Sequence, residues 1–197
     1  MMSPRLLVGR APSRLIDPLV GLLATLGVTP NALTVAGLLG NVGAAVLIAR
    51  GDLLAGGIVM LLASGLDLLD GGLARATGTV TPLGAVLDAT FDRLSEAAVL
   101  FGVLIYQTDL GHREESLLVF AAASGSLLVS YIRARAEAHG VTVTAGLFTR
   151  PERVVLLGAA LIGGWLRAGL WLLAVLTLIT VLQRLYLAGR ALRQERS

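Results

Sequence analysis

Residues Asp67 to Asp92 read D-L-L-D-G-G-L-A-R, then eight residues, then G-A-V-L-D-A-T-F-D, and this stretch decides how the chain is read. Four aspartates and an arginine stand there inside an apolar sequence. On an α-helix, residues three or four apart share a face, so Asp67 pairs with Asp70 and Asp88 with Asp92. The intervening Thr77-Gly78-Thr79-Val80-Thr81-Pro82 suits a tight turn between two antiparallel helices in direct contact. The spacing therefore predicts that all four carboxylates converge near that turn.

Four bare carboxylates beside a bilayer cost about 2.5–3.5 kcal/mol each, so they need compensation. Two divalent cations cancel their formal charge. Oxygen-only ligands in a chain without cysteine favour a hard ion, Mg²⁺ or Mn²⁺, and paired ions of this kind clamp phosphoryl groups. Asp67, Asp70, Asp88 and Asp92 are the candidate ligands. Gly71, Gly72, Ala74 and Gly84 are small enough to let helices and a flat ligand approach.

The arrangement Asp67-x-x-Asp70-Gly71-x-x-Ala74-Arg75, eight residues, Gly84-x-x-x-Asp88-x-x-x-Asp92 resembles the signature of the CDP-alcohol phosphotransferase family at all eight fixed positions. The resemblance implies an all-α integral membrane protein. It implies six transmembrane helices, usually in a homodimer, while the residues themselves, with Asp17 and Pro18 interrupting the short apolar run Arg14 to Val28, predict an N-terminal interfacial amphipathic helix. It also implies transfer of a phospho-alcohol from a CDP carrier to an acceptor hydroxyl, with CDP-diacylglycerol as donor here. Within that family Pro30, Asn31, Thr34, Gly71, Ala74, Arg75 and Gly84 border the CDP-lipid. Asp92 is the member of the aspartate set expected to take the acceptor proton.

Composition reaches the same class independently. With 55% hydrophobic and 15% charged residues among 197, and a mean hydropathy of +0.81, the chain is too apolar for an ordinary soluble domain. The net charge of +3 is scattered between apolar spans, which favours membrane lipid over nucleic acid as the partner. The absence of cysteine excludes disulfides, thiol nucleophiles and zinc–cysteine sites. One transmembrane catalytic domain over 1–197 is expected, with an arm and interfacial helix over 1–28 and a six-helix bundle over 29–197.

The expected spans are 30–49, 53–74, 82–106, 117–136, 150–166 and 169–192. Thr29-Pro30 reads as an N-cap with proline at the first helical position, and Thr149-x-x-Glu152 as a capping box. Placing the N-terminus on the side of the aspartate turn puts thirteen of the sixteen arginines there, leaving Arg50, Arg113 and Arg167 opposite. The positive-inside rule makes that side cytoplasmic. The expected location is the cytoplasmic membrane with the active site facing the cytoplasm. His112 and His139 read as loop residues.

A second cluster is arginine-rich. Arg133, Arg135, Arg150 and Arg153 lie at the ends of two spans, and Arg184 sits inside an apolar run where it must face protein, water or an anion. Arginines converging from three helices suit a phosphate. The S-Y-x-x-A-R-A-E and R-P-E-R stretches are similar to those of bacterial family members that make phosphatidylinositol phosphate. That likeness assigns Arg133, Arg153 and Arg184 to the phosphate of an inositol phosphate acceptor, although position 133 is often lysine in those enzymes. Members that make phosphatidylglycerophosphate form the alternative, and they usually carry a lysine-rich segment here, whereas this chain has no lysine. A cation-coupled transporter would use the carboxylates differently, and it predicts inverted repeats that are not visible.

Overall fold

The computed structural model describes residues 13–143 and 145–194, with residues 13–17 and Leu68 described by their main chain alone. The arm expected over 1–12 lies outside the described residues. Seven helices follow one another: α1 (Ser13–Thr25), α2 (Pro30–Ala49), α3 (Leu53–Ala76), α4 (Pro82–Asp109), α5 (Arg113–Ala138), α6 (Arg150–Gly163) and α7 (Leu166–Gln194). The six expected spans correspond to α2–α7. Four of them, α2, α3, α5 and α7, are long and apolar enough to cross a membrane. Helix α4 is 28 residues long but carries the acidic site, and α6 has only 14 residues.

Local chemistry explains where the helices begin. Thr29 accepts a hydrogen bond from the Ala32 N–H at 3.3 Å ahead of Pro30, as the sequence indicates, and Thr81 does the same for the Gly84 N–H at 3.0 Å ahead of Pro82. In both, a side-chain oxygen satisfies an otherwise orphan donor, and proline stands where no donor is needed. The capping box at α6 is corrected: Thr149 precedes the helix but makes no such cap, and its hydroxyl donates to Glu152 Oε2 at 2.5 Å. Pro151 still stands in the first turn of α6.

The expectation of direct α3–α4 contact is also corrected. Helix α2 packs along both, while α3 and α4 scarcely touch. The reason lies in the small residues of α2 and its neighbours. A Cβ added at Gly40 would press on Ala63 of α3, and one added at Gly102 of α4 would collide with the backbone of Ala45. Helix α2 thus admits a helix on each flank. Gly78, at φ 67, turns the chain out of α3 in the left-handed region that glycine enters without strain.

The main apolar core includes Ile48, Val99, Val103, Val119, Leu161 and Leu170. At the opposite end from the aspartates, Trp171 and Arg167 both donate to Glu114, each at 2.8 Å. His112 precedes α5 with Nδ1 2.9 Å from Gln107 Oε1, and His139 follows the same helix, so both are helix-end residues as expected. The helices α2, α4 and α6, each with proline in its first turn, all begin at the aspartate end. That end is where polar groups accumulate.

Candidate active site

Asp70 is 4% exposed, and its Oδ2 accepts a hydrogen bond from Thr34 Oγ1 at 2.7 Å across the α2–α3 contact. One turn further along α2, Gly37 faces Asp67: an added Cβ would overlap Asp67 Oδ1 and approach Ala63 O at 3.3 Å. Helix α2 therefore forms the floor of the aspartate site. Its first turn also approaches that of α4, since a Cβ at Gly84 would lie 3.0 Å from Thr81 Oγ1 and 4.0 Å from Asn31 Oδ1. Arg75 is exposed in the last turn of α3, with its Nη1 3.4 Å from where a Cβ on Gly71 would stand. Thr34 thus meets α3 at Asp70, next to Gly71 and one turn before Ala74 and Arg75, while Asn31, beside Pro30, approaches Gly84 at the start of α4.

Asp67 and Asp92 are joined by a residue from a third direction. Arg150, the first residue of α6, places Nη2 2.8 Å from Asp67 Oδ2 and Nη1 2.8 Å from Asp92 Oδ1. The sequence shows Arg150 as one basic residue among several at a span end, and the structure makes it the link between α3 and α4. Among the described residues, no three acidic or histidine side chains are close enough together to enclose a metal ion as they stand. The guanidinium of Arg150 provides the positive charge between Asp67 and Asp92. Those two, with Asp70 and Asp88, offer a hard divalent cation an all-oxygen donor set, so the residues fit such ions in number and chemistry.

Beside the aspartates lies a cavity of about 170 Å³ lined by Asp92, Arg93, Glu96, Arg133, Arg150, Arg153 and Arg184, among others. Five arginines against two carboxylates leave it net positive. The three arginines singled out in the sequence all reach it, but they are not equivalent. Arg153 is buried and forks onto Glu96 through Nε at 2.6 Å and Nη2 at 2.9 Å, and its Nη1 donates to Phe148 O at 3.3 Å. Arg133 donates to Glu137 at 2.8 Å on an exposed surface. Arg184 is 4% exposed and donates to two carbonyls, Val129 O at 2.9 Å and Ala145 O at 3.3 Å. Its hydrogen bonds leave its charge for an anion. Glu96 went unnoticed in the sequence, although it continues the four-residue series Asp88, Asp92, Glu96 along one face of α4.

An acidic, oxygen-rich site at a helix-bundle end, adjoining an arginine-lined cavity, defines a class of membrane phosphotransferase. The chain belongs to the CDP-alcohol phosphatidyltransferase family, whose profile matches residues 27–186. It is 40% identical over 184 residues to the phosphatidylinositol phosphate synthase of Mycobacteroides abscessus, covering 88% of this chain and 83% of that protein. It is equally 40% identical over 171 residues to the archaetidylinositol phosphate synthase of Pyrococcus horikoshii, covering 86% and 88%. The fold matches the crystal structure of Mycobacterium tuberculosis phosphatidylinositol phosphate synthase with CDP-DAG bound, with a TM-score of 0.81 and 35% identity over 89% of this chain and 94% of that one. A structure of the same enzyme in complex with manganese and citrate matches with a TM-score of 0.79 at 36% identity, over 87% and 88%. The protein is thus a multi-pass membrane phosphatidyltransferase.

Proposed function

We propose that this protein transfers the phosphatidyl group of CDP-diacylglycerol to a hydroxyl of inositol phosphate, forming phosphatidylinositol phosphate and releasing CMP. The observation that carries this reading is the juxtaposition of the aspartate site with the net-positive cavity, with Asp92 lining the wall between them. A neutral polyol has no use for such a cavity, whereas a phosphorylated one gains charge-assisted hydrogen bonds in it. The names of the relatives support inositol as the polyol.

The acceptor oxygen forms a bond to the phosphorus nearer the diacylglycerol while the bridging P–O bond to CMP breaks. Asp92 receives the hydroxyl proton. Arg75, at the CDP-lipid end, steadies phosphate charge, and Arg184, with Arg133 and Arg153 around it, holds the acceptor phosphate. Two Mg²⁺ or Mn²⁺ ions on Asp67, Asp70, Asp88 and Asp92 supply Lewis-acid neutralisation of the pyrophosphate.

In this reading all six helices α2–α7 cross the membrane. The charges of α4 face protein rather than lipid, which is the tolerated position for them. Helix α1, with Leu19 and Leu22 exposed and Leu26 exposed just beyond its end, lies along the interface. The arginine distribution supports a cytoplasmic site in the cytoplasmic membrane, and the family likeness supports a homodimer.

The test is CMP release by purified protein given CDP-diacylglycerol and a panel of inositol phosphate, free inositol and glycerol 3-phosphate. Inositol phosphate should be used far better than the other two, EDTA should abolish release, and Mg²⁺ or Mn²⁺ should restore it. Preference for glycerol 3-phosphate would replace the acceptor assignment, and full activity in EDTA would remove the metal assignment.

A further inference from the structure

Arg150 and Arg153 stand one turn apart on α6 and bind carboxylates in contrasting ways. Arg153 uses all three of its nitrogens, two on one carboxylate and one on a carbonyl, and its side chain is 3% exposed. This is the two-pronged geometry of a fixed structural pair, with two further N–H groups left over. Arg150 divides its two terminal nitrogens between two carboxylates on different helices, keeps a side chain that is 22% exposed, and leaves its Nε buried without a hydrogen-bond partner. An unsatisfied buried donor marks an arrangement that is incomplete in this state.

The two carboxylates that Arg150 bridges belong to the aspartate set that suits divalent cations. The same arginine also lines the cavity shared by Arg133, Arg153 and Arg184. Pro151 fixes the backbone immediately after it, so the guanidinium can change partners by side-chain rotation while its anchor stays still. Arg150 holds one oxygen of each carboxylate, Asp67 Oδ2 and Asp92 Oδ1, so a cation that draws both oxygens of either group must displace it. The cavity next to it offers the released guanidinium an anion instead.

We propose that Arg150 serves the two sites in turn. It clamps Asp67 and Asp92 until divalent cations take up those carboxylates, and its freed guanidinium then joins the arginines that hold the acceptor phosphate. Acceptor binding thereby depends on cation binding, so the anionic substrate is retained only by a site already charged for transfer. The proposal rests on the function proposed above, and it adds an order of assembly and a positioning role for Arg150. Coupling of this kind is reciprocal, so phosphate should tighten cation binding by the same factor that cations tighten phosphate.

The experiment measures binding without turnover. Uptake of Mn²⁺ is followed by loss of the free-ion electron paramagnetic resonance signal, and binding of inorganic phosphate by titration calorimetry with and without Mg²⁺. The unmodified protein should bind phosphate roughly 5–150-fold more tightly with Mg²⁺ present, the ordinary range of coupling between sites. Arg150→Gln should bind Mn²⁺ more tightly than the unmodified protein, because the competing cation is gone, and should lose most of the Mg²⁺ enhancement of phosphate binding. Weaker Mn²⁺ binding by Arg150→Gln would make Arg150 a fixed support for the aspartates and overturn the proposal. Phosphate affinity indifferent to Mg²⁺ in the unmodified protein would overturn it without any variant. CMP release with inositol phosphate is scored separately, so its failure alongside the expected binding results would remove the assigned reaction and leave the exchange of partners standing.

Discussion

Arg153 and Glu96 are joined by two nearly parallel hydrogen bonds of 2.6 and 2.9 Å, with 3% and 11% of their side chains exposed. Removing one partner of such a pair strands the other charge in a low-dielectric setting, at about 3–5 kcal/mol. Arg153→Ala should therefore lower unfolding stability in detergent by roughly that amount, beyond any effect on the acceptor. Pairing Arg153→Met with Glu96→Leu should recover much of the loss, since neither charge is then left alone. Equal stability of Arg153→Ala and the unmodified protein would show that the pair contributes nothing.

Arg184 offers a cleaner probe of the acceptor cavity, because it donates to the carbonyls of Val129 and Ala145 and its removal strands no bonded carboxylate. A hydrogen bond to a charged partner is worth about 1.5–3 kcal/mol, or roughly ten- to over a hundredfold in kcat/KM. Arg184→Ala should show that loss with inositol phosphate while CDP-lipid binding stays nearly intact. Free inositol should not register it. A matching loss with both acceptors would place the damage in the fold and not in phosphate recognition.

Asp92→Asn preserves shape and the oxygen that faces Arg150 but cannot accept a proton. Loss of a general base costs about 10²–10⁴-fold in rate. Single-turnover CMP release should fall within that range while CDP-lipid affinity falls much less. Parallel losses in the two measurements would recast Asp92 as chiefly a cation ligand.

Gly37 and Gly43 lie on the same helix and should respond in opposite ways to one methyl group. A Cβ at Gly37 runs into Asp67 Oδ1, whereas a Cβ at Gly43 meets nothing within 4 Å. Overpacking of this kind costs about 1–3 kcal/mol. Gly37→Ala should weaken Mn²⁺ binding and CMP release, while Gly43→Ala should leave both unchanged. The comparison removes helix propensity as an explanation, since both changes favour the helix.

The sequence disclosed what local spacing can disclose. The aspartate faces, the Thr29-Pro30 helix start and the isolation of Arg184 in an apolar run all follow from residues within a few turns of one another. The links that define the site do not. Arg150 meets Asp67 across 83 residues and Arg153 meets Glu96 across 57, and a single sequence has no period that connects such partners. The five-residue link after α3 invited a direct α3–α4 contact, yet the glycines of α2 and α4 made the wedge of α2 the better packing. Glu96 alone was within reach, as the next step in the series begun by Asp88 and Asp92.

The common starting end of α2, α4 and α6 has an electrostatic consequence of its own. Each helix N-terminus carries the equivalent of about half a positive charge, generated by aligned peptide dipoles. Three of them at one end give the aspartate region a cationic background made of main chain, which side-chain substitution cannot delete. Single arginine variants should accordingly retain measurable affinity for phosphate and pyrophosphate, and what they lose is orientation of the anion more than its attraction.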